Sequence, residues 1–248
     1  MIELQHANLK FASTHALNDC NLRIMKGEQV ALIGPSGSGK SSLLRVLATD
    51  YVLQSGSYSL DQQSVANLNS KVLKSLRREI AYIPQDLALV SNLKVSQNVL
   101  LGKIGSRGLA GTLRDLLAPS NSSLDEALTI LKEVGIPEKL FHRTDSLSGG
   151  QQQRVAIGRA LYQQASLLLA DEPVSAVDPS RAHSLLECLT SSASKHSLTL
   201  ACSLHNLDYA KAFFPRLVGM RQGKIIYDGK SSDFSDREFK ALYQLDHG

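Results

Sequence analysis

The 248-residue chain contains no apolar run long enough to cross a membrane. A membrane-spanning helix needs about 20 consecutive apolar residues, whereas the longest runs here, such as 167–170, have the length of a buried strand. The first four residues also lack the basic start and the apolar stretch of a secretory signal. We therefore expect a protein that is made and kept in the cytosol.

Cysteine is scarce, and the three cysteine residues are far apart in the sequence, at Cys20, Cys188 and Cys202. The chain has neither a CxxC pair nor a Cys/His spacing typical of a metal site. We expect reduced thiols in the core or on the surface, as is usual in a cytosolic protein.

A large excess of charge of one sign is also missing, because the net charge is only +4. A nucleic-acid binder usually concentrates basic charge on one face. The one dense basic cluster consists of Lys71, Lys74, Arg77 and Arg78. We interpret this cluster as a solvated helix face, and we expect no nucleic-acid partner.

Apolar periodicity predicts strands near the start of the chain, helices in its middle and an alternation of the two at its end. The predicted strands cover 2–11, 16–24, 29–33, 56–60, 80–83, 166–170, 197–203, 216–220 and 224–227. The predicted helices include 42–48, 65–78, 151–163 and 181–193. Such alternation implies a mostly parallel sheet covered by helices on both faces, so the predicted fold class is α/β.

The middle of the chain is less regular. Apolar residues recur at helical spacing at Leu124, Leu128, Leu131 and Val134. Two capping boxes fit the start of this helix, Ser122-x-x-Asp125 and Ser123-x-x-Glu126, and the sequence does not choose between them. Ahead of it, 102–123 is rich in Gly, Ser and Asn, which predicts a loop or a broken helix on the surface.

A glycine-rich segment at 34–41, Gly-Pro-Ser-Gly-Ser-Gly-Lys-Ser, matches the phosphate-loop motif G-x-x-x-x-G-K-[ST] in full. It follows a predicted strand and precedes a predicted helix, which is the context that the motif requires. Backbone N–H groups of such a loop wrap a phosphate, and the helix dipole adds to the attraction. We expect Lys40 to neutralise the β- and γ-phosphates of a nucleotide and the Ser41 hydroxyl to bind Mg²⁺.

Two carboxylates, Asp171 and Glu172, directly follow the apolar strand predicted at 166–170. In phosphate-loop proteins a carboxylate at the end of such a strand holds Mg²⁺, so we assign Asp171 to the metal. A carboxylate just beyond the metal ligand can accept a proton from the attacking water, which is the role predicted for Glu172. Taken alone, Asp-Glu-Pro is a common turn, and only the phosphate loop makes hydrolysis the better interpretation.

The segment Leu-Ser-Gly-Gly-Gln at 147–151 lies ahead of that acidic strand. It is the hallmark of ATP-binding-cassette (ABC) ATPases, and the chain resembles that family along almost its whole length. Gln85 follows a strand, as the glutamine of the family's Q-loop does, and His205 follows a later strand, as its switch histidine does. Ser-Ala-Val-Asp at 175–178 resembles the D-loop, with valine where leucine is more usual.

The resemblance implies a P-loop ATPase cassette with a mostly parallel core sheet, an antiparallel β subdomain and a helical signature subdomain. It implies a single ABC ATPase domain over 1–248, with the catalytic core at approximately 1–84 and 160–248 and the helical subdomain at 85–159. The implied cofactors are ATP and Mg²⁺. The implied catalytic residues are Glu172, His205 and Gln85, and the implied metal ligands are Ser41, Gln85 and Asp171. The implied nucleotide contacts are Phe11, which would stack on adenine, and Gly34, Pro35, Ser36, Gly37, Ser38, Gly39, Lys40, Ser41, Ser42, Ser148, Gly149, Gly150, Gln151 and Asp178.

The same resemblance implies a second subunit. Ser148 and Gly149 open a predicted helix whose N-terminal dipole can face an anion. The resemblance places this segment across a dimer interface from the chain's own phosphate loop, so each ATP would lie between Lys40 of one subunit and Ser148 of the other. Closure of such a homodimer would follow the nucleotide. The other implied partners are integral membrane permease subunits and, indirectly, a periplasmic substrate-binding protein, at the cytoplasmic face of the inner membrane.

Other phosphate-loop classes fit less well. A small GTPase would carry an N-K-x-D motif, which is absent, and a P-loop kinase lacks the segment at 147–151. DNA-repair and chromosome-organising ATPases usually place a long coiled coil between the two halves of the site, and no sustained heptads occur here. A translation-type cassette usually has two tandem copies. An ATPase of a soluble ABC machine remains the alternative outside transport.

Within transporters, the chain most resembles the ATPase subunits of phosphonate importers. The similar segments are 98–105, 113–117, 147–159, 204–210 and 223–229. Amino-acid importers and lipoprotein-releasing exporters share parts of these segments and stay as alternatives. We expect no C-terminal regulatory domain after Gly229. Four apolar residues after the Q-loop either contact a helix of the permease or form a helix core: Leu93, Val95, Val99 and Leu100.

Overall fold

The computed structural model describes residues 1–175 and 177–243, except for the side chain of Leu109. Ala176, in the predicted D-loop, and 244–248, at the end of the predicted core, lie outside the described residues. No helix within the described part is both long and apolar enough to span a membrane.

A small antiparallel sheet is formed by the first part of the chain. Its strands are β1 (Ile2–Phe11) and β2 (Thr14–Ile24) and, after β3 (Gln29–Ile33) and α1 (Lys40–Leu47), β4 (Ser55–Leu60) and β5 (Gln63–Ser64). Their order in the sheet is β2-β1-β4-β5. Residues 65–69 form a turn and irregular chain, where the sequence predicted the start of the helix 65–78. Helix α2 (Ser70–Arg78) therefore begins later, where the Asn69 side chain accepts a hydrogen bond from Val72 N–H at 2.9 Å.

The main sheet has six strands in the order β10-β9-β3-β8-β7-β6. Beyond β3, these are β6 (Ile80–Ile83), β7 (Leu167–Asp171), β8 (Thr199–Ser203), β9 (Arg216–Arg221) and β10 (Lys224–Lys230). All neighbours are parallel except β9 and β10, which form an antiparallel hairpin at one edge. The carboxyl ends of the parallel strands therefore meet at one edge of the sheet, where α/β proteins bind their ligands.

The remaining helices are α3 (Val95–Leu100), α4 (Ile104–Leu117), α5 (Asn121–Glu133), α6 (Gly149–Tyr162), α7 (Pro179–Lys195), α8 (Leu207–Phe213) and α9 (Asp236–Tyr243). Helix α7 begins two residues before its predicted start because Asp178 caps it, accepting a hydrogen bond from Arg181 N–H at 3.2 Å, and Pro179 occupies the first turn.

Apolar side chains cover the two faces of the main sheet separately. In β3, Ala31 and Ile33 pack with helices α3, α5, α6 and α7, whereas Val30 and Leu32 pack with α1 and the antiparallel sheet. Strand β7 alternates in the same way. This two-sided burial explains why both strands are continuous apolar runs in the sequence. The predicted α/β class with a mostly parallel core sheet and an antiparallel β sheet is confirmed.

The start of α5 differs from both capping boxes proposed from the sequence. The cap is Ser120, whose side chain accepts a hydrogen bond from Ser123 N–H at 3.1 Å. Ser122 and Ser123 therefore lie inside the first turn, and both predicted boxes are wrong. The run Ser-Asn-Ser-Ser offers four residues with similar capping ability, so the sequence does not fix the boundary.

The segment 102–123 is mostly helical. Helix α4 is interrupted at Gly108, whose φ of +69° is not helical. The alternative of a broken helix is thus confirmed, and the alternative of a loop is wrong.

Three of the four apolar residues after the Q-loop belong to the core. Val95, Val99 and Leu100 are at most 3% exposed, and they pack against α5 and α6. They form a helix core, so the prediction that they contact a permease helix is wrong for these three. Leu93 is half-buried.

Candidate active site

The phosphate loop connects the end of β3 to the start of α1 and is packed from one side by two other strands. A Cβ atom at Gly34 would lie 2.1 Å from the carbonyl oxygen of Met220 in β9. A Cβ atom at Gly39, where φ is +106°, would lie 2.4 Å from the carbonyl oxygen of Ala16 in β2. Only glycine fits these two positions, because the backbone of the loop runs against the backbone of its neighbours.

Lys40 is almost completely buried, with 4% of its surface exposed. Its ammonium donates hydrogen bonds to the carbonyl oxygens of Gly34 at 2.8 Å and Pro35 at 3.1 Å, which belong to the loop itself. Burial lowers the pKa of Lys40, and the nearby charges of Glu172 and Asp171 act in the opposite direction. A buried cation that is neutralised only in part fits an anionic ligand in the loop.

Ser38 gives a second indication of a ligand. Its hydroxyl oxygen is buried and has no hydrogen-bond partner among the described residues. Such groups are rare in folded proteins and call for an explanation. A phosphate oxygen in the loop would supply the missing partner, so the residues present fit a nucleotide.

Asp171 ends β7 and is held by three hydroxyl groups. Its Oδ1 accepts hydrogen bonds from Ser41 Oγ at 3.0 Å and from Ser203 Oγ at 2.7 Å, and its Oδ2 accepts one from Tyr82 at 3.3 Å. Burial, followed by the charge of Asp171, raises the pKa of Tyr82 to about 12, so its hydroxyl stays a donor at neutral pH. A carboxylate beside the hydroxyl of Ser41 provides the oxygen ligands that Mg²⁺ prefers.

The three predicted catalytic side chains meet at Glu172. One carboxylate oxygen of Glu172 pairs with Nε2 of His205, and the other accepts a hydrogen bond from the Gln85 amide at 3.1 Å. The backbone of Glu172 has a φ of +49°, which is unusual for a residue with a side chain. Its N–H donates to Ser203 Oγ at 2.9 Å, which helps to hold this conformation.

The sequence did not identify Ser203 or Tyr82. Strand β8 ends at Ser203, which is directly opposite Asp171 in the parallel register. That register is the signal that leads to Ser203, because neighbouring strand ends share an edge. Tyr82 lies in β6, on the other side of β7, and nothing in its local sequence separates it from an ordinary core tyrosine.

The remaining predicted residues lie apart from this centre. Ser148 caps α6, with its side chain accepting from Gln151 N–H at 3.4 Å. Ser148, Gly150 and Gln151 line an open pocket of about 710 Å³ together with Arg181, and no phosphate-loop residue lines it. Asp178 is an exposed cap of α7 that pairs with Arg181 at 3.3 Å.

Phe11 lies at the end of β1 and is 45% exposed. Its ring packs edge-on against Tyr51, with centroids 5.1 Å apart. The Gln85 amide donates a hydrogen bond to Glu172, and within the described residues it makes none to Ser41 or Asp171. Its role as a metal ligand therefore stays a prediction, as does adenine stacking by Phe11.

The sequence profile of the family described as ABC transporter matches residues 17–175. The chain belongs to the ABC transporter family. It is 40% identical over 242 residues to the phosphonates import ATP-binding protein PhnC 2 of Albidiferax ferrireducens, covering 98% of this chain and 87% of that protein. It is 41% identical to the phosphonates import ATP-binding protein PhnC of Pseudomonas entomophila, covering 98% and 91%.

Solved structures of ABC cassettes share the fold. One is the dimeric cassette MJ0796 in a post-hydrolysis state bound to ADP and phosphate, with a TM-score of 0.81 and 29% identity over 94% of this chain and 100% of that one. Another is cbiO1 from Clostridium perfringens, part of an ABC transporter complex, with a TM-score of 0.82 and 25% identity over 97% and 92%. The chain is thus an ABC ATPase in both sequence and fold.

Proposed function

We propose that this ABC ATPase energises the import of a phosphonate or a similar small phosphorus oxyanion. The main observation in favour of ATP hydrolysis is that Glu172 contacts both His205 and Gln85. The same site contains the buried Lys40. The relatives named above are phosphonates import ATP-binding proteins, and this chain matches them over most of their length. Their names support a phosphonate as the transported molecule.

Lys40 binds ATP in this proposal. Its ammonium exchanges the loop carbonyls of Gly34 and Pro35 for β- and γ-phosphate oxygens of ATP. Ser41 and Asp171 would hold Mg²⁺, which neutralises developing charge on the phosphates. Backbone N–H groups of the loop and the first turn of α1 complete the anion site.

Glu172 acts as the base. A water oxygen forms a bond to the γ-phosphorus, the bond from that phosphorus to the β–γ bridging oxygen breaks, and the water proton passes to Glu172. Both carboxylate oxygens of Glu172 have partners, because one pairs with His205 and the other accepts a hydrogen bond from Gln85. We infer that His205 turns from the Glu172 carboxylate to the γ-phosphate when ATP binds. This movement frees Glu172 to act as the base.

A second copy of the chain would complete each site. The N-terminus of α6 opens into a pocket that contains no residue of its own phosphate loop, so its free N–H groups have room for an anion from elsewhere. Two copies facing each other would place Ser148 of one against the nucleotide of the other. The dimeric cassette among the solved relatives supports this arrangement.

Import of a phosphorus oxyanion requires further protein partners. The permease subunits would carry the oxyanion across the inner membrane and hold this chain at the cytoplasmic face, and a periplasmic protein would deliver it. Mutual selection of ATPase and permease explains why the ATPase sequence carries information about a molecule that it never contacts.

Uptake of a labelled phosphonate tests the proposal in cells that carry the wild-type chain, no chain, or Glu172→Gln. We expect uptake only with the wild type, because Glu172→Gln keeps the shape of the site and removes the base. Equal uptake in all three, together with lost uptake of an amino acid or a lipoprotein-release defect, would reject the substrate and leave the ATPase in place.

A further inference from the structure

The Phe11 ring, which is expected to stack on adenine, has an aromatic neighbour from another part of the chain. Phe11 is 45% exposed at the end of β1, and its ring lies edge-on to that of Tyr51, with an angle of 68° between the two planes. Tyr51 belongs to the connection between α1 and β4. An exposed side chain changes rotamer within nanoseconds, and an edge-on partner limits this freedom because aromatic pairs prefer defined orientations.

Tyr51 is itself held in place by Arg45. Nη1 of Arg45 donates a hydrogen bond to the Tyr51 hydroxyl at 2.9 Å, and the central carbon of the guanidinium lies 5.5 Å from the centroid of the Tyr51 ring. The backbone N–H of Tyr51 also donates to the carbonyl oxygen of Arg45, at 3.3 Å. A guanidinium at this distance attracts the ring electrostatically. Both the backbone and the side chain of Tyr51 are therefore fixed relative to Arg45.

Arg45 lies in α1, the helix that begins at Lys40. One helix thus carries the ammonium expected to bind the β- and γ-phosphates and the guanidinium that holds the neighbour of Phe11. The triphosphate and the base are the two ends of ATP, so both ends bind at once only when the phosphate loop and the ring are correctly placed. A site that is arranged before the ligand arrives binds more tightly, because less freedom is lost on binding.

We propose that Tyr51 is a positioning residue for the nucleobase: it holds the Phe11 ring in the orientation that stacks on adenine, and through Arg45 it ties that ring to the helix of the phosphate loop. This inference rests on the proposed function, in which the ligand is ATP. Stacking of a base on an aromatic ring contributes to affinity, and a ring that is already oriented loses less of that contribution to ordering. Tyr51 therefore acts on the base end of ATP and not on its phosphates.

The test compares two ligands that differ in the base: a non-hydrolysable ATP analogue and inorganic triphosphate, both with Mg²⁺. Calorimetry measures the dissociation constant of each for the wild type and for Tyr51→Ala. We expect Tyr51→Ala to bind the ATP analogue roughly twofold to tenfold more weakly, the scale of one aromatic pair, and to bind triphosphate as the wild type does. An equal loss for both ligands, or a loss for neither, would overturn the proposal.

Two further variants separate positioning from direct contact. Tyr51→Phe keeps the ring and its contacts with the guanidinium and the Arg45 backbone, so we expect it to retain most of the affinity for the ATP analogue. A loss as large as that of Tyr51→Ala would contradict the role of the ring. In a Phe11→Ala background, Tyr51→Ala should cause no further loss, because the two residues act as a unit. A full further loss would mean that Tyr51 contacts the nucleotide itself, and it would overturn the positioning role.

Tyr227→Ala is the matched control. Tyr227 also forms an edge-on pair, with Phe234 at 4.9 Å between centroids, and its hydroxyl donates to the carbonyl oxygen of Lys230 at 2.6 Å. We expect Tyr227→Ala to lower stability in urea unfolding and to leave both affinities unchanged; the same loss of ATP affinity as in Tyr51→Ala would reject the proposal. A wild type that binds neither ligand would contradict the proposed function and this proposal with it. A wild type that binds the ATP analogue no more tightly than Tyr51→Ala does would overturn this proposal alone.

Discussion

Replacing Gly223 by alanine is expected to weaken nucleotide binding through the phosphate loop. Gly223 lies in the turn between β9 and β10, and its N–H donates to the carbonyl oxygen of Ser38 at 3.0 Å. Its own carbonyl accepts from Asn18 N–H and from the Cys20 thiol, both at 2.8 Å. One residue thus ties the phosphate loop to β2.

The size of the effect follows from the geometry. The φ of Gly223 is +75°, and a Cβ there would lie 3.1 Å from the carbonyl oxygens of both His15 and Ala16. The left-handed conformation alone costs an alanine about 1–2 kcal/mol. The crowding pushes the turn away from β2 and stretches the hydrogen bond to Ser38, whose loss costs about 0.5–1.5 kcal/mol.

Gly27 supplies a matched control, because its φ is +73° and a Cβ there would meet nothing within 4 Å. Gly27→Ala should therefore lose only the stability that the left-handed conformation costs, whereas Gly223→Ala should lose that amount and the cost of the crowding in urea unfolding. Only Gly223→Ala should also bind ATP more weakly in calorimetry, by roughly threefold to tenfold if the bond to Ser38 is lost. Equal ATP affinities in the two variants would refute the reasoning.

Four other predictions concern single side chains. Lys40→Ala should abolish ATP binding in calorimetry while the circular dichroism spectrum stays unchanged, and an unaltered dissociation constant would contradict the role of Lys40. Glu172→Gln should bind ATP and hydrolyse it roughly 10²–10⁴ times more slowly, and His205→Ala should also stall hydrolysis; normal phosphate release by either variant would assign the chemistry to another group. Burial raises the pKa of Glu133, but hydrogen bonds led by that from Lys195 outweigh burial and hold the pKa below its usual range. Because the folded-state pKa is lowered, this stabilisation is present at neutral pH and is lost as the pH falls through that pKa, so Glu133→Gln should flatten the acid side of a plot of unfolding free energy against pH.

The sequence predicted the parts of the site that lie in contiguous motifs. The phosphate loop and the pair Asp171–Glu172 each follow an apolar strand, and parallel strands bring such ends together. Gln85 and His205 also follow strands of the same sheet, which explains why the structure gathers them at Glu172.

Features that depend on tertiary contacts were not predictable in this way. Ser203 and Tyr82 carry hydroxyls that matter only because of the register of β6, β7 and β8. The apolar residues Val95 and Val99 looked equally suited to a core or to a partner, since periodicity alone does not say what covers a helix. The boundary of α5 depended on a choice among equivalent caps.

The central claim is that two copies of this chain form each hydrolytic site, with Lys40 from one and Ser148 from the other. The direct measurement is the ATPase rate of a mixture of Lys40→Ala and Ser148→Arg chains, each inactive alone. A heterodimer has one site with both lesions and one with neither, so we predict that the mixture recovers activity. Absence of recovery in heterodimers whose formation is proven by two different affinity tags would contradict the claim.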